Sequence, residues 1–416
     1  YSDGKQDAYE QDQKPTTHPI DVPVASTQNA FDNIDAITYS KGASTLMQLR
    51  HLLGADVFRK GVHNYLVKYQ YRNAKLDDFI GSLGQAAGRD LTGWTKEWLY
   101  QPGVNTIAAT YACKDGRIAG FTLDQSAAGK AFPTLREQRV QVAAYRLDGK
   151  EYKVERNIAV TYKGAKTAVP GMNGAACPDL VYPNYGDWGF VKVQLDPRSF
   201  DSARNHVAAV DDPLLRAMLW QSLWDGVRDG KLPLNDFLAT ALNNAPQEQD
   251  YTLLGDVLGK VVASKRYLDL MDPQAAYAQA VTRQLEDMAW TATLANKWDD
   301  NFQRRWFGTY ISVASSRDAL DRLAAVLAGK QAVDGLAINQ DLRWAIIGRL
   351  NRYNYPGAAA LVDAEQARDK SDSGQAAALA AVVSRPDPAV KTEWLGTVDD
   401  LQTKLPFSKV RTAMEH

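Results

Sequence analysis

Between residues 40 and 102 the apolar positions fall three and four apart, the spacing that lays a stripe along one face of a helix. Leu46, Leu49, Leu52 and Leu53 form a first stripe, with Ser40 placed to cap its start and Gly54 to stop it. Phe58, Val62, Tyr65, Leu66 and Tyr69 form a second. A third carries Leu76, Phe79, Ile80 and Leu83, and a fourth carries Leu91, Trp94, Trp98 and Leu99 before Pro102-Gly103 ends it. The run up to Asn29 is polar and punctuated by Pro15, Pro19 and Pro23, which predicts an extended surface segment without an element of its own.

After Gly103 the period drops to two. Ile107, Ala109, Tyr111 and Cys113 alternate with other residues, Lys114-Asp115-Gly116-Arg117 supplies a hairpin turn, and residues 118–123 return. The grammar repeats with Val140, Val142 and Ala144, the turn Asp148-Gly149, then Tyr152 and Val154, and later residues 158–162 and 190–195. Short strands in this number predict a small antiparallel β-sandwich over residues 104–197. Beyond Pro197 the pattern is helical, with amphipathic segments at 214–227, 251–262, 275–294, 319–327 and 342–350 separated by turn signals such as Tyr355-Pro356-Gly357. Helices joined by short loops with no strand between them predict an α-solenoid over residues 198–416, although no exact repeat occurs. The expected fold is multidomain α+β: a helical unit to residue 103, the sandwich, then the solenoid. The polar start and a last predicted helix running into His416 read as cut edges of a longer protein.

Composition narrows the classes of function. The 416 residues hold 48 basic and 49 acidic side chains, so no global field draws the chain to nucleic acid or an anionic membrane. No stretch approaches the roughly 18 apolar residues of a membrane span, and the first residues have no apolar signal core, so the compartment, periplasmic or secreted against cytoplasmic, stays open. Two cysteines, Cys113 and Cys177, fit a single disulfide or two buried thiols equally well.

Chemistry is sparse by spacing alone. A zinc hydrolase needs two histidines four apart on one helix face together with a carboxylate base. The five histidines here, His18, His51, His63, His206 and His416, offer no such pair, so no metal ligand is named; His51 and His63 read as packing or solvent-facing residues on amphipathic helices. There is no G-x-S-x-G elbow and no phosphate loop, and neither cysteine has a nearby histidine.

One run is more informative. Ile34-Asp35-Ala36-Ile37-Thr38-Tyr39-Ser40-Lys41-Gly42-Ala43-Ser44 resembles the segment of aminopeptidase N enzymes in which an F-D-x-I-x-Y-x-K-G-A pattern follows the zinc-binding helices, with Ile34 where the pattern has Phe. Upstream, Asp12-Gln13-Lys14-Pro15-Thr16-Thr17-His18-Pro19-Ile20 resembles the D-Q-x-P-x-x-H-P-I run of the same enzymes. Downstream, Asn73-Ala74, Asp78-Phe79 and Trp94-Thr95-Lys96-Glu97-Trp98-Leu99 are similar to the helices that close the catalytic domain, and residues 183–193 to the junction before the family's last domain.

The resemblance implies that residues 1–103 are the end of a thermolysin-like catalytic domain, and that the parent is a zinc aminopeptidase acting on peptides, with its zinc and amino-terminus-gripping motifs outside this chain. It gives Tyr39 a role as the phenol that donates a hydrogen bond to the oxyanion of the tetrahedral intermediate. A phenol suits that task, since it keeps its proton at neutral pH. Residues alone leave open a core tyrosine before a helix cap. Gly171-Met172-Asn173-Gly174 reads as a turn, not as the family's exopeptidase motif. Arg343, in Asp341-Leu342-Arg343-Trp344, is the candidate for meeting the substrate's C-terminal side, against a structural ion pair. The fragment alone is expected to be inert, and the rival reading is a non-catalytic scaffold that binds peptides or partner proteins.

Overall fold

The computed structural model describes residues 4–149, 151–272, 275–400 and 402–416, and the chain divides into two units, Tyr1–Leu253 and Leu254–His416. Both helices and sheets are present, so the chain is mixed α and β.

In the first unit the polar opening run folds, contrary to the expectation of an extended segment; residues 1–3 lie outside the described residues. It forms α1 (Lys5–Asp12) and α2 (Thr27–Asp32). α1 is barely amphipathic, yet Ala8, Tyr9 and Asp12 are buried. The periodicity is invisible because two of its buried positions are charged and neutralised from afar: Lys5 reaches Asp187 at 2.6 Å, and Asp12 meets Lys41. Gly4, at φ 74°, begins the helix; a Cβ there would stand 2.6 Å from Ser40 Oγ, so only glycine lets α1 start this close to the Tyr39 turn.

A π-helical turn, Ile37–Lys41, leads into α3 (Gly42–Leu53). Ser40 therefore lies inside the turn rather than at a cap, while Gly54 ends α3 at φ 90° where a glycine stop was expected. Next come α4 (Ala55–Tyr69), α5 (Leu76–Ala87) and α6 (Thr92–Trp98). Their apolar stripes meet in one core of Leu49, Leu52, Ile80, Leu83, Leu91, Trp94 and Trp98, joined by Tyr9 and Phe190. Burial of each large apolar side chain stabilises by roughly 1.5–3 kcal/mol.

Strands follow: β1 (Thr106–Lys114), β2 (Arg117–Ser126), β3 (Gln138–Asp148), β4 (Glu151–Tyr162), β5 (Lys166–Ala168), β6 (Leu180–Tyr185) and β7 (Lys192–Gln194). They form a four-stranded sheet ordered β5-β2-β1-β7 and a three-stranded sheet ordered β4-β3-β6. Asp115 and Gly116, both at positive φ, close the β1–β2 hairpin as expected. Three features depart from the expectation. β4 is one strand where the pattern suggested two, β7 runs parallel to β1, and β6 carries Pro183 in its middle. The pairing of β6 with β3 shifts register between Gln141 and Ala143, opposite that proline, which has no amide to donate to a ladder. A disulfide joins Cys113 to Cys177. α7 (Pro197–His206), α8 (Pro213–Arg228) and α9 (Leu234–Asn244) complete the unit's helices, with Asp196 and Asp212 capping the first two.

α10 (Tyr251–Asp269) leads into the second unit, which continues with α11 (Ala276–Ala295), α12 (Asp300–Val313), α13 (Arg317–Leu327), α14 (Gln340–Arg352), α15 (Ala358–Arg368), α16 (Asp372–Val383), α17 (Pro388–Asp399) and α18 (Phe407–Glu415). Neighbours in sequence pack together, α11 on α12 and α13 on α14, and α14 also packs on α16. Trp306, Phe307, Tyr310, Leu323, Ile347 and Leu350 are buried among them.

Candidate functional site

Tyr39 sits at the middle of the π-helical turn. Ile37 and Lys41, two residues to either side, are buried at 1% and 0% exposure, whereas Tyr39 is 63% exposed. The wide turn explains the split, because residues four apart share one face and the residue between them is turned away. The Tyr39 hydroxyl makes no hydrogen bond among the described residues. Its backbone is fixed instead: the Tyr39 amide donates to Asp35 O at 3.2 Å, and the Gly42 amide reaches both Ile37 O and Tyr39 O.

Beneath the turn lies a buried ion pair that the sequence reading did not identify. Lys41 Nζ stands 3.1 Å from Asp12 Oδ1 and 2.9 Å from Oδ2, with both side chains fully inaccessible. Asp12 Oδ1 also accepts from Thr17 Oγ1 at 2.7 Å and from the Gly103 amide at 2.8 Å. One carboxylate thus ties α1, the segment after it, the Tyr39 turn and the end of the helical region. Burial pushes the Lys41 ammonium down to about 8, with Arg136 adding to the shift and Asp12 opposing it. Desolvation outweighing attraction is what a buried pair shows when its contribution is position more than net stability. Arg136, itself buried, donates to Glu97 O, Gln101 O, Pro102 O and Asn105 Oδ1 and lies over the Trp98 ring, fastening α6 to the strand region.

A second pair flanks the turn nearer the surface. His18 Nε2 lies 2.8 Å from Asp35 Oδ2, and Asp35 Oδ1 accepts from the Thr38 amide at 2.9 Å. Asp35, not Ser40, is therefore the side chain that holds the start of this helical segment. Both pairs were hidden by their separations of 29 and 17 residues. The available signal was that all four partners fall inside the two motif runs.

The remaining candidates separate. Arg343 on α14 donates through Nε to Glu365 Oε1 at 2.9 Å and through Nη2 to Glu365 Oε2 at 2.5 Å, a fork-on-fork pair whose carboxylate is buried. His51 stacks on Trp188 with centroids 4.4 Å apart, and His63 is exposed. Among the described residues no group of three or more His, Cys, Asp or Glu could hold a metal ion.

Comparison with known proteins covers nearly the whole chain. Residues 1–98 match the Peptidase family M1 domain, and residues 180–414 match the ERAP1-like C-terminal domain. The chain is 35% identical over 412 residues to Aminopeptidase N of Streptomyces lividans, an alignment covering 96% of this chain and 47% of that protein. It is 22% identical over 348 residues to Puromycin-sensitive aminopeptidase of Caenorhabditis elegans, covering 81% and 36%. With Tricorn protease-interacting factor F2 of Thermoplasma acidophilum it shares 24% identity over 256 residues, covering 61% and 30%. The chain thus spans about half or less of the length of these relatives. With a family match at each end and this identity running between them, the chain belongs to the aminopeptidase N family of M1 peptidases.

Proposed function

We propose that this chain forms the C-terminal part of a zinc metalloaminopeptidase that releases residues from the N-termini of peptides, and that Tyr39 is its catalytic contribution. The observation that carries the reading is a hydroxyl without a partner among the described residues, on a turn fixed from below by the Asp12–Lys41 pair. In the proposed role the Tyr39 O–H donates to the carbonyl oxygen of the scissile bond as charge develops on it, while the phenol itself stays neutral. The zinc ligands belong, in this reading, to sequence that the relatives have and this chain does not span. Exposed Phe31, Ile34, Leu46 and Met47, close to Tyr39 in sequence, are the apolar positions the remaining catalytic domain would cover.

The domain organisation follows the same reading: residues 1–103 end a thermolysin-like catalytic domain, 104–197 form a β-sandwich and 198–416 an α-solenoid. For Arg343 we favour a structural pairing with Glu365 over contact with substrate, because both forks are already engaged. The disulfide favours an oxidising compartment, where such bonds persist.

The test uses fluorogenic aminoacyl amides on the gene product that carries this chain, on its Tyr39→Phe variant and on this chain alone. The expected result is a fall in kcat of about a hundredfold or more for Tyr39→Phe and no activity for the isolated chain. An undiminished kcat in Tyr39→Phe overturns the role, and an inactive gene product would turn attention to a scaffold that binds peptides or proteins.

A further inference from the structure

Tyr39 has a hydrogen-bonded backbone and a hydroxyl with no partner among the described residues, and the residue that receives the Thr38 and Tyr39 amides of its turn is Asp35. The Asp35 carboxylate accepts from the Thr38 amide through Oδ1, and the Asp35 carbonyl accepts from the Tyr39 amide. Two consecutive N–H groups, the second belonging to Tyr39, are thereby oriented by one residue. The other carboxylate oxygen is held by His18 Nε2, whose opposite nitrogen Nδ1 lies 2.7 Å from Pro19 O. Both ring nitrogens thus face oxygen atoms, so the imidazole is held at both ends.

This brace differs from the pair beneath it in burial. The His18 and Asp35 side chains are 26% and 24% exposed, against 0% for both Lys41 and Asp12. Loss of the buried pair would strip the core of a counter-charge, whereas loss of the half-exposed brace leaves the core packed and frees only the start of the turn. The lever is long: a tilt of about 10° at the backbone swings a tyrosine hydroxyl by about 1 Å, a displacement that can cost on the order of a hundredfold in rate.

We propose that Asp35, locked in place by His18, is a positioning residue that fixes where the Tyr39 hydroxyl stands relative to the substrate carbonyl. The proposal rests on the catalytic reading of Tyr39. In the gene product that carries this chain, Asp35→Ala lowers kcat by about tenfold to a hundredfold while KM changes by less than about twofold. His18→Ala gives a smaller loss of the same kind. Asp35→Asn, which keeps an oxygen for the Thr38 amide, recovers most of the rate.

The decisive arm is a double-mutant cycle: in a Tyr39→Phe background, Asp35→Ala costs nothing further, because no hydroxyl is left to misplace. Equal losses in both backgrounds, or a loss confined to KM, overturn the proposal. A Tyr39→Phe variant of undiminished kcat overturns the catalytic reading itself and takes this proposal with it. A second measurement needs no turnover: hydrogen exchange on this chain should be faster at the Thr38 and Tyr39 amides in Asp35→Ala with α3 unchanged, and unaltered exchange there overturns the proposal.

Discussion

Tyr39 and Arg343 are polar side chains on helical segments of different units, and their surroundings treat them in opposite ways. Tyr39 is 63% exposed with a hydroxyl that has no partner among the described residues, and the residues on either side of it are consumed in holding it there. Arg343 is itself consumed, with two guanidinium nitrogens committed to a Glu365 side chain that is 3% exposed. The like of Arg343 is therefore not Tyr39 but Lys41, a cation spent on a buried carboxylate to fix one element against another. A functional group needs a free tip and a fixed base, and only the first candidate has both.

The most severe way to break this contrast is to remove the base. Lys41→Ala leaves Asp12 fully buried without its counter-charge, which should destabilise the first unit by about 3–5 kcal/mol. Chemical denaturation followed by hydrogen exchange in α1 and α3 reads this directly, and stability unchanged in those helices would show that the pair anchors nothing.

Arg343→Ala tests the other side with a smaller effect. It removes the charged donors to Glu365 and should cost about 2 kcal/mol in the second unit while leaving KM for peptides unaltered in the gene product that carries this chain. The reverse outcome, a raised KM with α14 and α15 as stable as before, would assign Arg343 to the substrate.

The same contrast explains what the sequence could reveal. The apolar stripes of α3 to α6 and the Asp115-Gly116 turn were legible because each is a local rule, a period of 3.6 or a pair of positive-φ residues. α1 was not, because its inward face holds Lys5 and Asp12, whose partners Asp187 and Lys41 lie far along the chain. β6 was missed because Pro183 argues against a strand unless a register shift absorbs it, whereas β7 was legible within residues 190–195 and only its parallel pairing with β1, which depends on a long connection, was not. Around Tyr39 the motif offered the tyrosine as a candidate and the fold supplied its supports. Nothing in local pattern says that a lysine will be fully buried; that follows only when a distant carboxylate meets it.

The smallest expected effect is also the one that tests whether the second unit's pair is ionic. Glu365 keeps its carboxyl below the ordinary value of 4.5, chiefly through the hydrogen bonds from Arg343 and against the opposing effect of burial. A carboxylate with a depressed folded pKa contributes stability that is complete above the unfolded value and is lost as pH falls through the folded one, since the unfolded chain takes up the proton first. Glu365→Gln keeps the shape and removes the charge. The variant should therefore be less stable than the parent chain at neutral pH, and the gap should close as pH falls below about 4.5, because protonation then does to Glu365 what the substitution has already done. Hydrogen exchange in α14 and α15 across that range gives the gap helix by helix. A gap that stays constant into acid would mean that Arg343 holds Glu365 by shape and hydrogen bonding without dependence on its charge, and the likeness drawn between Arg343 and Lys41 would then fail.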